Sequence, residues 1–244
     1  MFKYLLICIM LLSILSPLMA QYTIDLESGG VFSGYNYARI PNETGTKISF
    51  VKDLDTPSSL FFRMKLGYQL NDKHNFTLLI APLTLHPKGR INNDVYFEGV
   101  NFPANVDIDA IYKFNSYRIA YRYDLIRMKK LELGLGLTIK VRDAKIALES
   151  AELQSEKTDL GLVPLVNFNL LWRFQDRWGI LLEAEALGST QGRAEDILLA
   201  VDYRLTDNFR ARIGYRFLEG GADVDSVYNF TLLNYILLGI NVSF

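Results

Sequence analysis

The sequence predicts an all-β fold: an antiparallel, transmembrane, up-and-down β-barrel of ten strands, with eight or twelve as the alternatives, behind a cleaved leader. Three observations carry this expectation. The chain opens on a secretory leader and has no later apolar run of helix-spanning length. Its strands pair a wholly apolar face with a polar one. Its connections alternate short and long.

The leader comes first. "MFKYLLICIMLLSILSPLMA", residues 1–20, has Lys3, an apolar run over 4–15, then Ser16, Pro17 and Ala20. These are the three regions of a secretory signal. The run is too short to span a bilayer as a helix. A cut after Ala20 leaves 21–244 as the barrel domain. The single cysteine, Cys8, lies inside the apolar run, so neither a lipid anchor nor a disulfide is expected. Of 26 Lys and Arg, Lys3 leaves with the leader, and 25 face 27 Asp and Glu, a formal charge of −2. That balance lacks the basic footprint of a nucleic-acid binder.

After a first strand at about 22–37, period-two segments follow one another. Phe62, Met64, Leu66 and Tyr68 alternate with Arg63, Lys65 and Gly67. The run at 75–85 is apolar on both faces and carries Pro82, so alternation gives it no register. Tyr117, Ile119, Tyr121 and Tyr123 alternate with Arg118, Arg122 and Asp124. In "LELGLGLTIKVR", 131–142, six aliphatic residues share one face. Its G-x-G is mid-strand with no helix after it, which excludes a phosphate loop. Segments 162–174, 178–186, 197–205, 209–217 and 236–244 continue the pattern. The apolar faces carry no charge, and the opposite faces are rich in Arg and Gly. A soluble barrel would bury the apolar face. An exported chain with tryptophans on that face fits the opposite arrangement, lipid outside and a crowded polar lumen inside. Backbone in lipid must then close into a barrel, because an open edge leaves polar groups unsatisfied.

Short turns are expected at 71–74, 126–130, 175–177 and 206–208, and longer loops at about 38–57, 86–114, 149–158, 188–194 and 219–227. Ten strands put both termini on the short-turn, periplasmic side and the long loops outside. Tyr68, Tyr123, Trp172, Trp178, Tyr203 and Phe209 fall near the short turns as an interfacial girdle. Loop 86–114 contains "VYFEGV" and "VDIDAIY" around "NFPAN", which suggests a hairpin above the membrane or a plug folded into the mouth. The middle of 38–57 could also pair and would raise the count to twelve.

The last strand, "YILLGINVSF", places Ile240, Val242 and the terminal Phe244 on one face. It resembles the C-terminal strand of bacterial outer-membrane β-barrels, and most of the mature chain shares their architecture, closest to the small barrels of eight to twelve strands. "FSGYNYARIP", "YKFNSYR", "QGRAED" and "EGGADVDSVYNF" are similar to segments of an uncharacterised group of such barrels. The resemblance implies a Gram-negative outer membrane, surrounding lipid, periplasmic chaperones, and a barrel assembly machinery that reads the terminal strand. It implies no cofactor and no specific activity.

The lumen is expected to hold a charge network. Arg63, Lys65, Arg118, Arg122, Lys140, Arg142, Arg173, Arg204, Arg210, Arg212 and Arg216 point inward, against Asp124, Glu132, Glu183, Glu185 and Asp202. Closing the hairpins sets Asn169 opposite Glu183, Asn167 opposite Glu185, and Asp202 opposite Arg212. Cations outnumber acids in this set, which leaves a narrow anion channel as one alternative. A lipid-modifying hydrolase or acyltransferase is the other, and it needs a base beside a nucleophile. His74 falls in a turn. His86, in "TLHPKG", has neither Ser nor acid beside it, with Ser116 or Asp109 the partners another strand could supply. Glu219, Asp223 and Asp225 lack the full calcium-loop pattern. The expected role is therefore non-enzymatic: structural, surface-binding or minor transport, with no catalytic or metal residues and an unknown ligand.

Overall fold

The computed structural model describes residues 21–244, so the leader lies outside the described residues. Ten long strands close into one antiparallel barrel: β1 (Gln21–Arg39), β2 (Ser59–Gln69), β3 (His74–Ala81), β4 (Val106–Arg127), β5 (Leu131–Glu149), β6 (Gln154–Trp172), β7 (Trp178–Ser189), β8 (Gly192–Arg204), β9 (Phe209–Val224) and β10 (Val227–Ser243). Each pairs with its neighbour in sequence, and β10 returns to pair with β1 from Thr23↔Ser243 to Arg39↔Tyr228, with one irregularity between Ser33 and Tyr35. The count of ten and the antiparallel order agree with the sequence. So does the hairpin register: Asn169 opposes Glu183, Asn167 opposes Glu185, and Asp202 opposes Arg212.

The apolar faces point outward. Ile119, Leu137, Ile139, Ile213, Ile236 and Leu238 are all exposed. The ambiguous run at 75–85 resolves at its proline. β3 ends at Ala81, with Phe76, Leu78 and Ile80 outward and Leu79 and Ala81 inward.

The upper connections are shorter than expected. The strands run on, so that 149–158, 188–194 and 219–227 shrink to 150–153, 190–191 and 225–226. Their polarity comes from a change of outside solvent. On β5 the outward residues Leu135, Leu137, Ile139 and Val141 give way to Asp143 and Lys145. On β6 the change falls between Leu160 and Thr158. Above that level the wall stands in water, and its outer face is laced with ion pairs: Lys113–Asp143 at 2.7 Å, Lys145–Glu156, Lys88–Asp109 at 3.0 Å and Arg90–Asp107 at 3.1 Å.

Two segments fold over the open end. Within 40–58 the one strand is Ile48–Ser49, paired with Tyr37 and Ala38 of β1, and Asp55 adds an isolated bridge to Lys88, so the count stays at ten. In 82–105 the hairpin is Val95–Phe97 with Val100–Phe102. Its turn residues Glu98 and Gly99 both have positive φ, 42° and 84°, the twist that tight hairpins need. "VDIDAIY" is not the second half of that hairpin. Its Ile108, Ala110 and Tyr112 are buried on the inner face of β4, whose alternation they extend. The hairpin lies across the mouth. Thr46 N donates to Tyr96 O at 2.8 Å and Glu98 N to Ile40 O at 2.9 Å on one side. Lys157 of β6 reaches Glu98 at 2.9 Å on the other. The hairpin's own Phe97 and Phe102, and beneath them Ile40, Ile48, Phe50, Tyr112 and Leu148, are at most 1% exposed.

Candidate functional site in the lumen

The barrel waist is filled by charge. Arg216 contacts Glu27 at 2.8 Å, Asp196 at 2.6 Å and Glu183 at 3.7 Å. Arg212 meets Asp25 at 2.7 Å and Glu27 at 2.8 Å. Arg63 lies 3.4 Å from Glu27 and 3.1 Å from Asp196. Arg118 joins Asp196 at 2.7 Å and also binds Glu185. Lys65 holds Glu183 at 2.9 Å. Asn241 donates to Asp25 at 3.1 Å, and Thr138 to Glu185 at 2.9 Å.

Five cations (Arg63, Lys65, Arg118, Arg212, Arg216) thus face five carboxylates (Asp25, Glu27, Glu183, Glu185, Asp196). The cationic excess expected from sequence is matched at this level by Asp25, Glu27 and Asp196. A period-two signal for all three was present. Asp25 and Glu27 alternate with Ile24 and Leu26, and two-residue steps back from Asp202 reach Asp196. Asp196 lies past the loop expected at 188–194 and one residue before the alternation expected from Ile197, so the expected strand stops short of it.

The residues expected to form one network occupy three tiers. Glu183, Glu185, Arg118, Arg212 and Arg216 make the waist with the partners above. Asp202, Arg204, Arg210 and Arg122 lie below it. There Arg173 pairs with Asp202 at 3.3 Å, Arg122 with Asp124 at 2.9 Å, Arg210 with Asn241 at 3.0 Å, and Arg204 with the Asp176 carbonyl. Asp202 and Arg212 are opposed in register, but their side chains choose Arg173 and Asp25. Lys140 and Arg142 sit above the waist. Arg142 binds Asp159, and the Lys140 ammonium lies 4.7 Å from the Phe114 ring centre.

Two spaces flank this arrangement. A void of about 60 Å³ remains among the waist residues Arg63, Lys65, Arg118, Glu183, Glu185 and Arg216. A larger cavity of about 510 Å³ lies above, between the waist and the covered mouth. Lys140, Arg142, Tyr112, Phe114 and Leu218 line it from the lumen, and Leu162, Pro164 and Leu187 from the wall.

That wall has a seam. β5 and β6 share nineteen register pairs, whereas β6 and β7 share seven, from Val166↔Ala186 to Trp172↔Ile180. Above them, 154–165 of β6 has no strand on that side.

At the short-turn end of the barrel the expected aromatics gather beside those turns. Trp178 packs on Tyr203 with ring centres 4.6 Å apart, Trp172 on Phe174 at 6.0 Å, and Tyr68 on Tyr22 at 5.3 Å. Phe209 is half-buried at the start of β9. His74 is not a free turn residue. It begins β3, its Nδ1 lies 2.9 Å from Tyr121 Oη, and its ring meets Tyr123 edge-on. His86 stands exposed between buried Leu85 and Pro87. Glu219, Asp223 and Asp225 do not converge: Glu219 is bound by Arg193 at 2.8 Å, and Asp223 by Asn42 at 2.7 Å. Phe244 is exposed, as are Ile236, Leu238 and Ile240 on its face, and its backbone N donates to Tyr22 O at 2.9 Å.

The closed ten-strand antiparallel wall, apolar outside and charged inside, decides the fold. It is that of a bacterial outer-membrane β-barrel. The outer membrane protease OmpT from Escherichia coli is similar at 9% identity and TM-score 0.57, over 92% of this chain and 97% of its own. Ail, the attachment invasion locus protein of Yersinia pestis, aligns at 11% identity and TM-score 0.41, over 91% and 99%. Neisserial surface protein A aligns at 15% identity and TM-score 0.33, over 92% and 99%. No protein-family model matches the sequence, and no curated protein matches it.

Proposed function

We propose that this barrel is a non-enzymatic binding protein of the Gram-negative outer membrane, closed to flow along its axis, with its binding chemistry in the outer half. The waist carries this reading. Five cations and five carboxylates neutralise one another across the lumen and leave about 60 Å³ between them. Barrels of about eight strands are filled by side chains, whereas porins of about sixteen to eighteen strands leave an aqueous channel. The covered mouth adds a second closure. Both termini and the short turns lie on the periplasmic side, and the extended β4, β5 and β6 stand outside, following the asymmetry of such barrels. OmpT is a protease that shares the fold, but chemistry belongs to sites, not to folds. Here the two histidines lack the neighbours a hydrolase needs: His74 packs among tyrosines, and His86 faces solvent.

Single-channel recording of the purified barrel beside Glu183→Ala tests the closed lumen. The native protein should pass little current. The variant should pass more, because it frees Lys65 and widens the void. A large, steady, anion-selective current from the native barrel would overturn the reading and favour a channel.

A further inference from the structure

We propose that the 510 Å³ cavity takes a single-chain amphiphile with an anionic head, which enters sideways from the outer leaflet through the seam between β6 and β7, its head held by Lys140. This deepens the binding reading above, and it is tested by ligand affinity, so its failure is distinct from that of the closed waist.

The seam opens at lipid level. Leu160 and Leu162, on the unpaired part of β6, are 75% and 73% exposed and belong to the apolar outer belt. An open strand edge is tolerated in the hydrocarbon region only where it is buried in protein or lines a wet cavity. Such a cavity lies behind it, and its lining shows that it passes through the wall. Leu162 and Pro164 come from the lipid-facing side of β6, Lys140 and Arg142 from the lumen side of β5. Across the seam, Gly188 of β7 faces open space, and a Cβ built there meets nothing within 4 Å.

The cavity has the two chemistries an amphiphile needs. Its volume is within the range of about 300–1,000 Å³ usual for small-molecule sites. Around it Arg142 is engaged with Asp159, Lys157 with Glu98 at 2.9 Å, and Arg193 with Glu219 at 2.8 Å. Lys140 differs. It is 4% exposed, yet among the described residues its ammonium has no carboxylate or hydrogen-bond partner, only the face of Phe114. Arg142 Nε is also buried without an acceptor. A buried ammonium and a spare guanidinium N–H at the end of an apolar passage are a site for one anionic group. The passage is bounded on one side by the paired β7–β8 hairpin and above by the mouth cover, and a volume of about 510 Å³ suits one chain better than two.

The test uses the full mature chain in lipid nanodiscs, with empty nanodiscs to subtract partition, and follows displacement of a fluorescent fatty acid. The probes are dodecanoate, dodecanol, acetate and a two-chain phosphatidylglycerol. Dodecanoate should bind saturably, and dodecanol at least about tenfold more weakly, since a charge-assisted contact is lost. Lys140→Met should weaken dodecanoate about tenfold and leave dodecanol unchanged, while Lys140→Arg retains binding. Gly188→Trp should weaken both by filling the seam, and its open surroundings make it a variant that folds if Lys140→Met does not. Equal affinity for dodecanoate and dodecanol, or dodecanoate binding indifferent to both Lys140→Met and Gly188→Trp, would overturn the proposal. Acetate binding as tightly as dodecanoate would mean a site for free anions, and preference for phosphatidylglycerol one for membrane lipid. Either would also overturn it.

Discussion

The waist and the mouth are built from the same strands and closed by opposite chemistry. Going up the inner face of β4, Arg118 and Ser116 give way to Tyr112, Ala110 and Ile108. On β5, Thr138 and Lys140 give way to Ile146 and Leu148. The outer face changes the other way at the same height, from Ile139 and Val141 to Asp143 and Lys145. Period two persists along the whole strand while the polarity of its two faces exchanges. Where lipid is outside, the interior carries the charged residues, most of them paired, with Leu171, Leu181, Leu198 and Leu237 between them. Where water is outside, the interior is an ordinary apolar core. Alternation is fixed by backbone geometry, but which face is apolar is set by the solvent at each level.

The largest break in that comparison belongs at the waist. Asp196 receives Arg63 at 3.1 Å, Arg118 at 2.7 Å and Arg216 at 2.6 Å, all buried. Asp196→Ala leaves three guanidiniums sharing fewer acids. Removing one partner from a buried ion cluster costs about 3–5 kcal/mol. Urea unfolding of the refolded barrel, followed by the heat-modifiable gel band, should show a loss of that size. Stability within ~1 kcal/mol of native would mean that the waist is wetter than its geometry indicates.

The lipid face comes next. Leu135→Arg puts a charge on the outer belt, where mid-bilayer Arg costs about 2–4 kcal/mol. The same unfolding measurement applies, and a neutral result would reverse the faces. Its neighbour Gly136 faces inward, where the lumen is severely crowded. A Cβ at 136 would fall 1.9 Å from the Tyr121 carbonyl oxygen, so even Ala must displace backbone. The two positions therefore fail for different reasons, solvation at 135 and sterics at 136.

These contrasts also mark how far the sequence could be read. Strand number, order, facing and hairpin register follow from alternation and turn spacing, which are local. The upper connections do not, because a charged outer face above the membrane has the polarity of a loop: "ALESAELQSEK" contains the tip of one hairpin. The mouth hairpin was half legible. "EG" gives its turn, but "VNF" and "VDIDAIY" are both alternating runs, and only three-dimensional packing assigns one to the hairpin and the other to β4. The waist acids were legible in principle at Asp25, Glu27 and Asp196. The seam was not: 154–159 is polar on both faces and 162–165 apolar on both, and neither pattern says whether a strand lies alongside.

The smallest effect sharpens the comparison from the other side. Arg90 and Asp107 pair at 3.1 Å on the outer surface of the mouth, much like the waist pairs in distance, with side chains 60% and 81% exposed. Exposed pairs of this kind contribute about 0–1 kcal/mol, because water screens the attraction and two mobile side chains must be held in place. Asp107→Ala should therefore shift unfolding by less than ~1 kcal/mol, and raising the salt concentration should reduce the difference further. The same chemical change, one carboxylate lost beside an arginine, is then predicted to cost several times more at Asp196 than at Asp107. If the two variants lost equal stability, burial would not be what separates the waist from the outer wall.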